Sequence, residues 1–172
     1  MPQRDPQKMH TRRRRGGDPF KALKSGIVVL ACPLYVFGFP GQMKNLLDRI
    51  LPNYQPHYEM QGGHSSKPVW GDAKWGRSVL VSSAALWKLD NFGALLEHMR
   101  AVAWLTRSDY MGALLRPHST ALRWLSPESY ADVLGAAREA GRQLVSSGVM
   151  RDETLRVVSR ELMPLDEYVG RL

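Results

Sequence analysis

Residues 27–52 read IVVLACPLYVFGFPGQMKNLLDRILP. The stretch opens on Ile27, Val28, Val29, Leu30, Ala31 and Cys32, apolar at every position, as expected of a strand covered on both faces. Pro33 breaks the run, and a loop follows: Leu34, Tyr35, Val36, Phe37, Gly38, Phe39, Pro40 and Gly41. From Gln42 the apolar period changes from two to 3.6. Met43, Leu46, Leu47, Ile50 and Leu51 share one helical face, Lys44 and Asp48 stand i,i+4 on the other, and Pro52 stops the helix. Strand, loop and helix make half of a parallel crossover unit, so the expected class is α/β. In such sheets ligands sit at the carboxyl ends of the strands, where Pro33–Gly41 falls. The loop's aromatics either fold back into their own core or present a flat surface to a ring ligand, and spacing alone leaves both open.

The sequence downstream repeats the alternation. Residues 78–82 (SVLVS) predict a second short strand, with Ser83, Ala84, Ala85, Leu86, Trp87, Lys88 and Leu89 as its exit loop. Ser82 and Ser83 either end that strand or reach a ligand, and Trp87 either packs inward or covers the site. Asp90 or Asn91 caps a helix whose stripe is Phe92, Leu95, Leu96, Met99, Val102 and Ala103, with His98 off it facing solvent. Residues 110–115 (YMGALL) predict a third strand, ending in Arg116, Pro117, His118 and Ser119 on the ligand side. Arg116 and His118 read either as turn residues or as contacts to a phosphate or an acidic substrate. Ser126 and Pro127 start a helix with Tyr130, Val133, Leu134, Ala137, Leu144 and Val145 on its buried face and Gly148 past its end. Asp152 caps a last helix carrying Leu155, Val158 and Leu162, ended by Pro164, and Leu165, Tyr168 and Val169 make a final turn.

Between the first two strands, residues 53–77 are rich in proline and glycine and show no sustained period. Loops of this length are usually functional or mobile. Tyr54, Tyr58, Trp70 and Trp75 are its candidates for covering a flat ligand or packing a subunit contact. His57 and His64 lack a carboxylate pair at ligand spacing, so no metal site is expected.

At 172 residues the chain has the size of one domain, with an apolar share of 44% sufficient for a core. No apolar run approaches the ~18 residues of a membrane span, so no membrane partner is expected. Cys32 is the only cysteine, which excludes an intramolecular disulfide or a cysteine cluster and makes a reducing cytoplasm the default location. The net charge of +8 is concentrated in residues 1–25, where eight basic residues meet Asp5 and Asp18. Residues 1–17, with the Arg12–Arg15 run, read as a disordered basic tail ahead of a domain over 18–172. Asp18–Lys24 could form a short capped helix. The arginine run lacks interleaved aromatics, so nucleic acid is not the expected partner.

The segment PLYVFGFPGQMKNLLDR resembles the part of flavodoxin-like NAD(P)H-dependent FMN reductases that runs under the flavin. There a Ser/Thr-Pro-x-Tyr loop precedes a Gln-x-Lys-x-x-x-Asp-Arg helix. Pro33, Tyr35, Gln42, Lys44, Asp48 and Arg49 match, with Cys32 in place of the small hydroxyl residue. The resemblance continues through WKLDNFGALLEHM and GALLRPHS to RELMPLDEY. It implies a flavodoxin-like parallel sheet of order 2-1-3-4-5 with FMN at the switch between strands 1 and 3. Ile27–Cys32 then corresponds to strand 3, and the expected domain is N-terminally incomplete, without strand 1 and its phosphate-cradling loop.

The activity so implied is FMN-dependent reduction of a small-molecule electron acceptor, with NAD(P)H as donor. The resemblance places Pro33, Leu34, Tyr35, Val36, Phe37 and Gly38, then Ser82, Ser83 and Ala84, at the isoalloxazine, with Trp87 as a lid. No catalytic acid or base is assigned, which suits chemistry supplied by a cofactor. Two alternatives remain: a non-catalytic core acting by association, or a binding module using its basic arm. An uncovered apolar edge on Ile27–Cys32 also predicts a homo-oligomer, a dimer in the simplest case.

Overall fold

The computed structural model describes residues 26–70 and 75–172; the expected basic tail and the short helix over 18–24 lie outside the described residues. In chain order the regular elements are β1 (Ile27–Pro33), α1 (Gly41–Asp48), the short strands β2 (Glu59–Gln61) and β3 (His64–Ser66), then β4 (Arg77–Ser83) and α2 (Gly93–Leu105). β5 (Asp109–Arg116), α3 (Ala131–Ser147), α4 (Asp152–Ser159) and α5 (Leu165–Arg171) follow. The three apolar runs form one parallel sheet in the order β1-β4-β5, flanked by helices on both faces.

Strand alternation sorts the core into two layers. Val28 and Leu30 of β1, Leu80 of β4 and Ala113 and Leu115 of β5 meet Leu47 of α1 and Leu95, Met99 and Val102 of α2. On the opposite face Ile27, Val79, Val81 and Leu114 meet Ala140 and Leu144 of α3 and Leu155 of α4. A third cluster at the end of the sheet joins Trp87, Ala121, Trp124, Met163 and Tyr168. β1 and β4 pair in unbroken register from Ile27–Arg77 to Pro33–Ser83. β4 and β5 slip between Ser78 and Leu80, where β5 carries one extra residue and Gly112 sits at φ +105°. A residue with a Cβ could not take that φ without strain, which is why a glycine makes the bulge.

Several expectations are corrected. α1 ends at Asp48, and Leu46 and Leu51 lie exposed while Leu47 and Ile50 are buried. His98 is half-buried, its ring edge-on to Phe39 with centroids 4.9 Å apart. A 3-10 turn over Pro127–Tyr130 precedes α3. Leu134 and Val145, expected on the buried face of α3, are exposed. The reason is geometric: Gln143, which donates to Thr154 Oγ1 at 3.0 Å, marks the flank of α3 that meets α4. Leu134 and Val145 lie on the other flank, where no described element covers them. Arg151, and not Asp152, is the N-cap of α4, which stops at Ser159.

The irregular stretch also holds a hairpin. β2 and β3 pair antiparallel around Gly62 and Gly63, at φ +57° and +81°, the two-residue turn that Gly-Gly favours. An ion pair from Glu59 to Arg107 ties it to the end of α2. Trp75 is buried in the core, and the Tyr54 hydroxyl, pushed up to about 12 by burial, donates to Leu105 O at 2.8 Å. These two aromatics therefore build the fold, whereas Tyr58 and Trp70 stay exposed. No described helix is long and apolar enough to cross a membrane.

Candidate functional site

The exit loops of β1 and β4 lie side by side, because the two strands are parallel neighbours ending in register at Pro33 and Ser83. Leu34 turns inward, and its N–H donates to Ser83 O at 2.8 Å, pinning one loop to the other. Beyond it the chain reverses tightly. Gly38 N–H donates to Tyr35 O at 3.0 Å and Tyr35 N–H to Gly38 O at 3.3 Å. Val36 and Phe37 occupy the two central positions with φ +48° and +59°. That is the territory of Asn-Gly, and a β-branched residue there is an outlier. The conformation costs on the order of 1–3 kcal/mol and persists only where the surroundings impose it. Its effect is display: Tyr35, Val36 and Phe37 are all exposed, Val36 at 97%. Gly38 is half-buried.

The loop after β4 is held from beneath. Ala84 N–H donates to Arg116 O at 3.0 Å, and Ala84 O accepts from Ser119 N and Oγ at 2.8 and 3.1 Å. Its backbone therefore has nothing to offer a ligand. Ala85 O accepts from the Tyr168 hydroxyl at 2.5 Å and Leu86 O from His118 N at 2.8 Å. Trp87 O faces His118 Nδ1 at 3.4 Å. With these carbonyls engaged, the amides of Ala85, Leu86 and Trp87 donate to no acceptor among the described residues, nor do those of Val36 and Phe37. The donors available to a ligand thus lie one to three residues past Ser82, Ser83 and Ala84. Ser82 is buried, with its hydroxyl lacking a partner among the described residues. Trp87 stacks one indole face on His118, ring centroids 4.3 Å apart, and is anchored in the third core cluster.

Arg116 and His118 form the bolt that holds this arrangement. Arg116 is buried and donates to Pro117 O, Val158 O and Arg160 O at 2.6–2.8 Å. Its Nη2 also reaches His118 Nε2 at 2.7 Å. His118 Nε2 accepts a second bond from Leu162 N–H at 3.1 Å, so the ring hydrogen resides on Nδ1. Burial, then the charge of Arg160, lowers the Arg116 pKa to about 10. Burial, then the Arg116 guanidinium, pushes His118 down, against weaker upward pulls from Trp87 O, Glu161 and the Arg160 backbone. His118 is therefore neutral, and both residues clamp the C-terminal segment to the end of β5.

Beside the loops lies a cleft of about 340 Å³, bordered by Ala31, Val81, Ser83, Leu114, Arg116 and Leu134. This is at the small end of the ~300–1,000 Å³ typical of small-molecule sites. Arg116 spends four of its five N–H groups within the protein and gives the apolar cleft a positive floor. Burial raises the Cys32 thiol nearby, which disfavours the thiolate and hence a nucleophilic role. Among the described residues no trio of His, Cys, Asp or Glu stands at metal-binding distance. What the site offers is flat apolar contact, amide donors and positive potential. No protein-family model matches the chain, and no curated protein matches it.

Proposed function

We propose that the chain binds the isoalloxazine ring of FMN across the exit loops of β1 and β4, and acts as an NAD(P)H-dependent reductase of the flavodoxin-like FMN reductase type. One observation carries the reading. Two adjacent loops at the carboxyl edge of a parallel sheet combine exposed aromatics, Tyr35 and Phe37, with five unengaged amides. A tricyclic ring with carbonyls along one edge needs both. The flavin would supply the redox chemistry, taking hydride from a nicotinamide and passing electrons to a small acceptor. The protein's part is to stack Tyr35 and Phe37 on the ring, donate amide hydrogen bonds to its polar edge, and keep positive charge from Arg116 nearby. The parallel α/β sheet with helices on both faces is compatible with that family.

The described residues fit the ring better than the phosphate, since no backbone loop among them cradles an anion. FMN and riboflavin are therefore expected to bind this chain with similar affinity, read by quenching of flavin fluorescence on titration. Absence of quenching with either ligand overturns the proposal. The double substitution Val36→Asn with Phe37→Gly tests the loop directly. It relieves the strained turn and should stabilise the fold by roughly 1–2 kcal/mol, while weakening flavin binding severalfold. Unchanged binding would remove the loop from the site. A second reading, a core that acts by association without catalysis, is favoured by the bare edge of β1.

A further inference from the structure

We infer that β1 is an assembly edge: it pairs antiparallel with β1 of a second copy of this chain across a two-fold axis, joining two three-stranded sheets into one. The inference uses no flavin and stands or falls apart from the proposed activity.

Among the described residues β1 has one neighbour, β4, so the backbone groups along its other side have no partner. Edge strands normally carry charges, a bulge or a covering element that discourages pairing. Among the described residues β1 has none of these. No charged residue occurs from Ile27 to Gln42, its register is unbroken, and only the terminal Pro33 interrupts its donors. The face of β1 toward α3 is equally bare. Val29 is 53% exposed and Ala31 is exposed beside it. On α3, Leu134, which borders the same cleft as Ala31, and Val145, about three turns further along the same flank, are both exposed. The result is an apolar strip running along an open edge.

The occupant that fits is another β1. Pairing centred on Leu30 sets Val29 opposite Ala31, Val28 opposite Cys32, and Ile27 opposite Pro33 of the second copy. Residues directly opposite in an antiparallel pair point to the same face. The exposed pair Val29 and Ala31 therefore meets its own image, and a two-fold axis normal to the sheet brings both strips to the same side. The pairing is isologous, as closed dimers require, and sets no like charges against each other within the strands. The chain's own upstream sequence is a poor alternative. Residues 1–25 carry eight basic side chains and hold only Met1, Met9, Phe20, Ala22 and Leu23 as apolar ones. That composition does not match an uncharged apolar edge.

The test is the mass of the full chain by light scattering across a concentration series, with two sets of variants. The wild type should run as a dimer. Val29→Lys changes a side chain that is already half in solvent, so the fold should persist by circular dichroism. The apparent dissociation constant should rise at least about tenfold, because pairing would bury the ammonium group. Val29→Cys and Ala31→Cys, each in a Cys32→Ser background, should cross-link when mixed and oxidised, and form far less disulfide alone, since only the mixed pair sits directly opposite. A monomer at all concentrations overturns the inference. So does a dimer indifferent to Val29→Lys, or one in which the mixed cysteines do not cross-link.

Discussion

The two edges of the sheet are built on opposite plans. β5 has the devices that keep an edge to itself: a bulge at Gly112, the exposed charge of Asp109 at its start, and the α4 segment returning to bond the buried Arg116 through Val158 O and Arg160 O. β1, uncharged and regular, leaves Val29 and Ala31 in solvent. The exit loops follow the same division. Past β5 the chain turns inward at His118, locked between Trp87 and Tyr168. Past β1 it turns outward, holding Val36 and Phe37 in a conformation neither prefers. Stability is concentrated at one edge, and surface for other molecules at the other.

The contrast breaks most severely at Arg116. Arg116→Met keeps the unbranched apolar stem of the side chain but strips donors from three carbonyls and from His118 Nε2. Buried acceptors left without partners cost about 1–3 kcal/mol each, so a loss of roughly 3 kcal/mol or more is expected in urea unfolding. The C-terminal segment should become sensitive to proteolysis first, because two of the three carbonyls belong to it. A loss below about 1 kcal/mol would mean the clamp contributes little and the two edges differ less than their geometry suggests.

How much of this division was legible in the sequence depends on the range of the interactions. The three strands were, to within a residue or two, because a short uninterrupted apolar run bounded by breakers is a local signal. That Pro33–Gly38 and Ser82–Ala84 lie side by side at the carboxyl ends of their strands followed from the strand-loop-helix order, whereas a role for them at a ring ligand is what the resemblance implies. The hairpin at Gly62 and Gly63 was missed, though Gly-Gly between two short polar strands is a signal that could have found it. The burial of Arg116 and His118 could not be read at all. Their partners are backbone atoms of Val158, Arg160 and Leu162, some forty residues on, and a carbonyl has no letter in a sequence. Leu134 and Val145 fit a helical stripe, but periodicity cannot say how far a sheet extends beneath a helix. The unengaged amides of residues 85–87 escaped notice because the groups that hold this loop, His118 N–H on Leu86 O and the Tyr168 hydroxyl on Ala85 O, lie far along the chain.

Acid sharpens the comparison, since only the closed edge contains a buried titratable ring. The folded-state pKa of His118 is depressed by burial and by Arg116, with Glu161 a weaker opposing charge. Above the unfolded value near 6.5 the ring is neutral in both states and its contacts are intact. As pH falls through that value the unfolded chain takes up a proton that the folded chain refuses. Stability then declines, by at most about 1.4 kcal/mol per pH unit for a single group, until the folded pKa is reached. Urea midpoints at pH 7.5 and 5.5, a window placed around that unfolded value, should therefore differ in the wild type and differ less in His118→Gln. An equal pH dependence in both would assign the titration to another group.

The finest test compares Val29 with Val79. The two are register partners on one face of the sheet and differ mainly in position, edge against centre. Val79 is 1% exposed beneath α3, whereas Val29 is 53% exposed. Replacing valine by threonine preserves shape and branching and adds one hydroxyl, so the substitution reports burial with little change in packing volume. At Val79 the hydroxyl enters an apolar layer, costing about 1–3 kcal/mol unless it finds an acceptor. At Val29 it faces water, and the change should stay within about 0.5 kcal/mol, provided unfolding is measured dilute enough to dissociate any dimer. At higher concentration, assembly would add its own free energy to the wild type, and a penalty for Val29→Thr that grows with concentration would be the thermodynamic counterpart of edge pairing. A penalty at Val29 as large as that at Val79, and independent of concentration, would mean that this edge is already covered within a single chain.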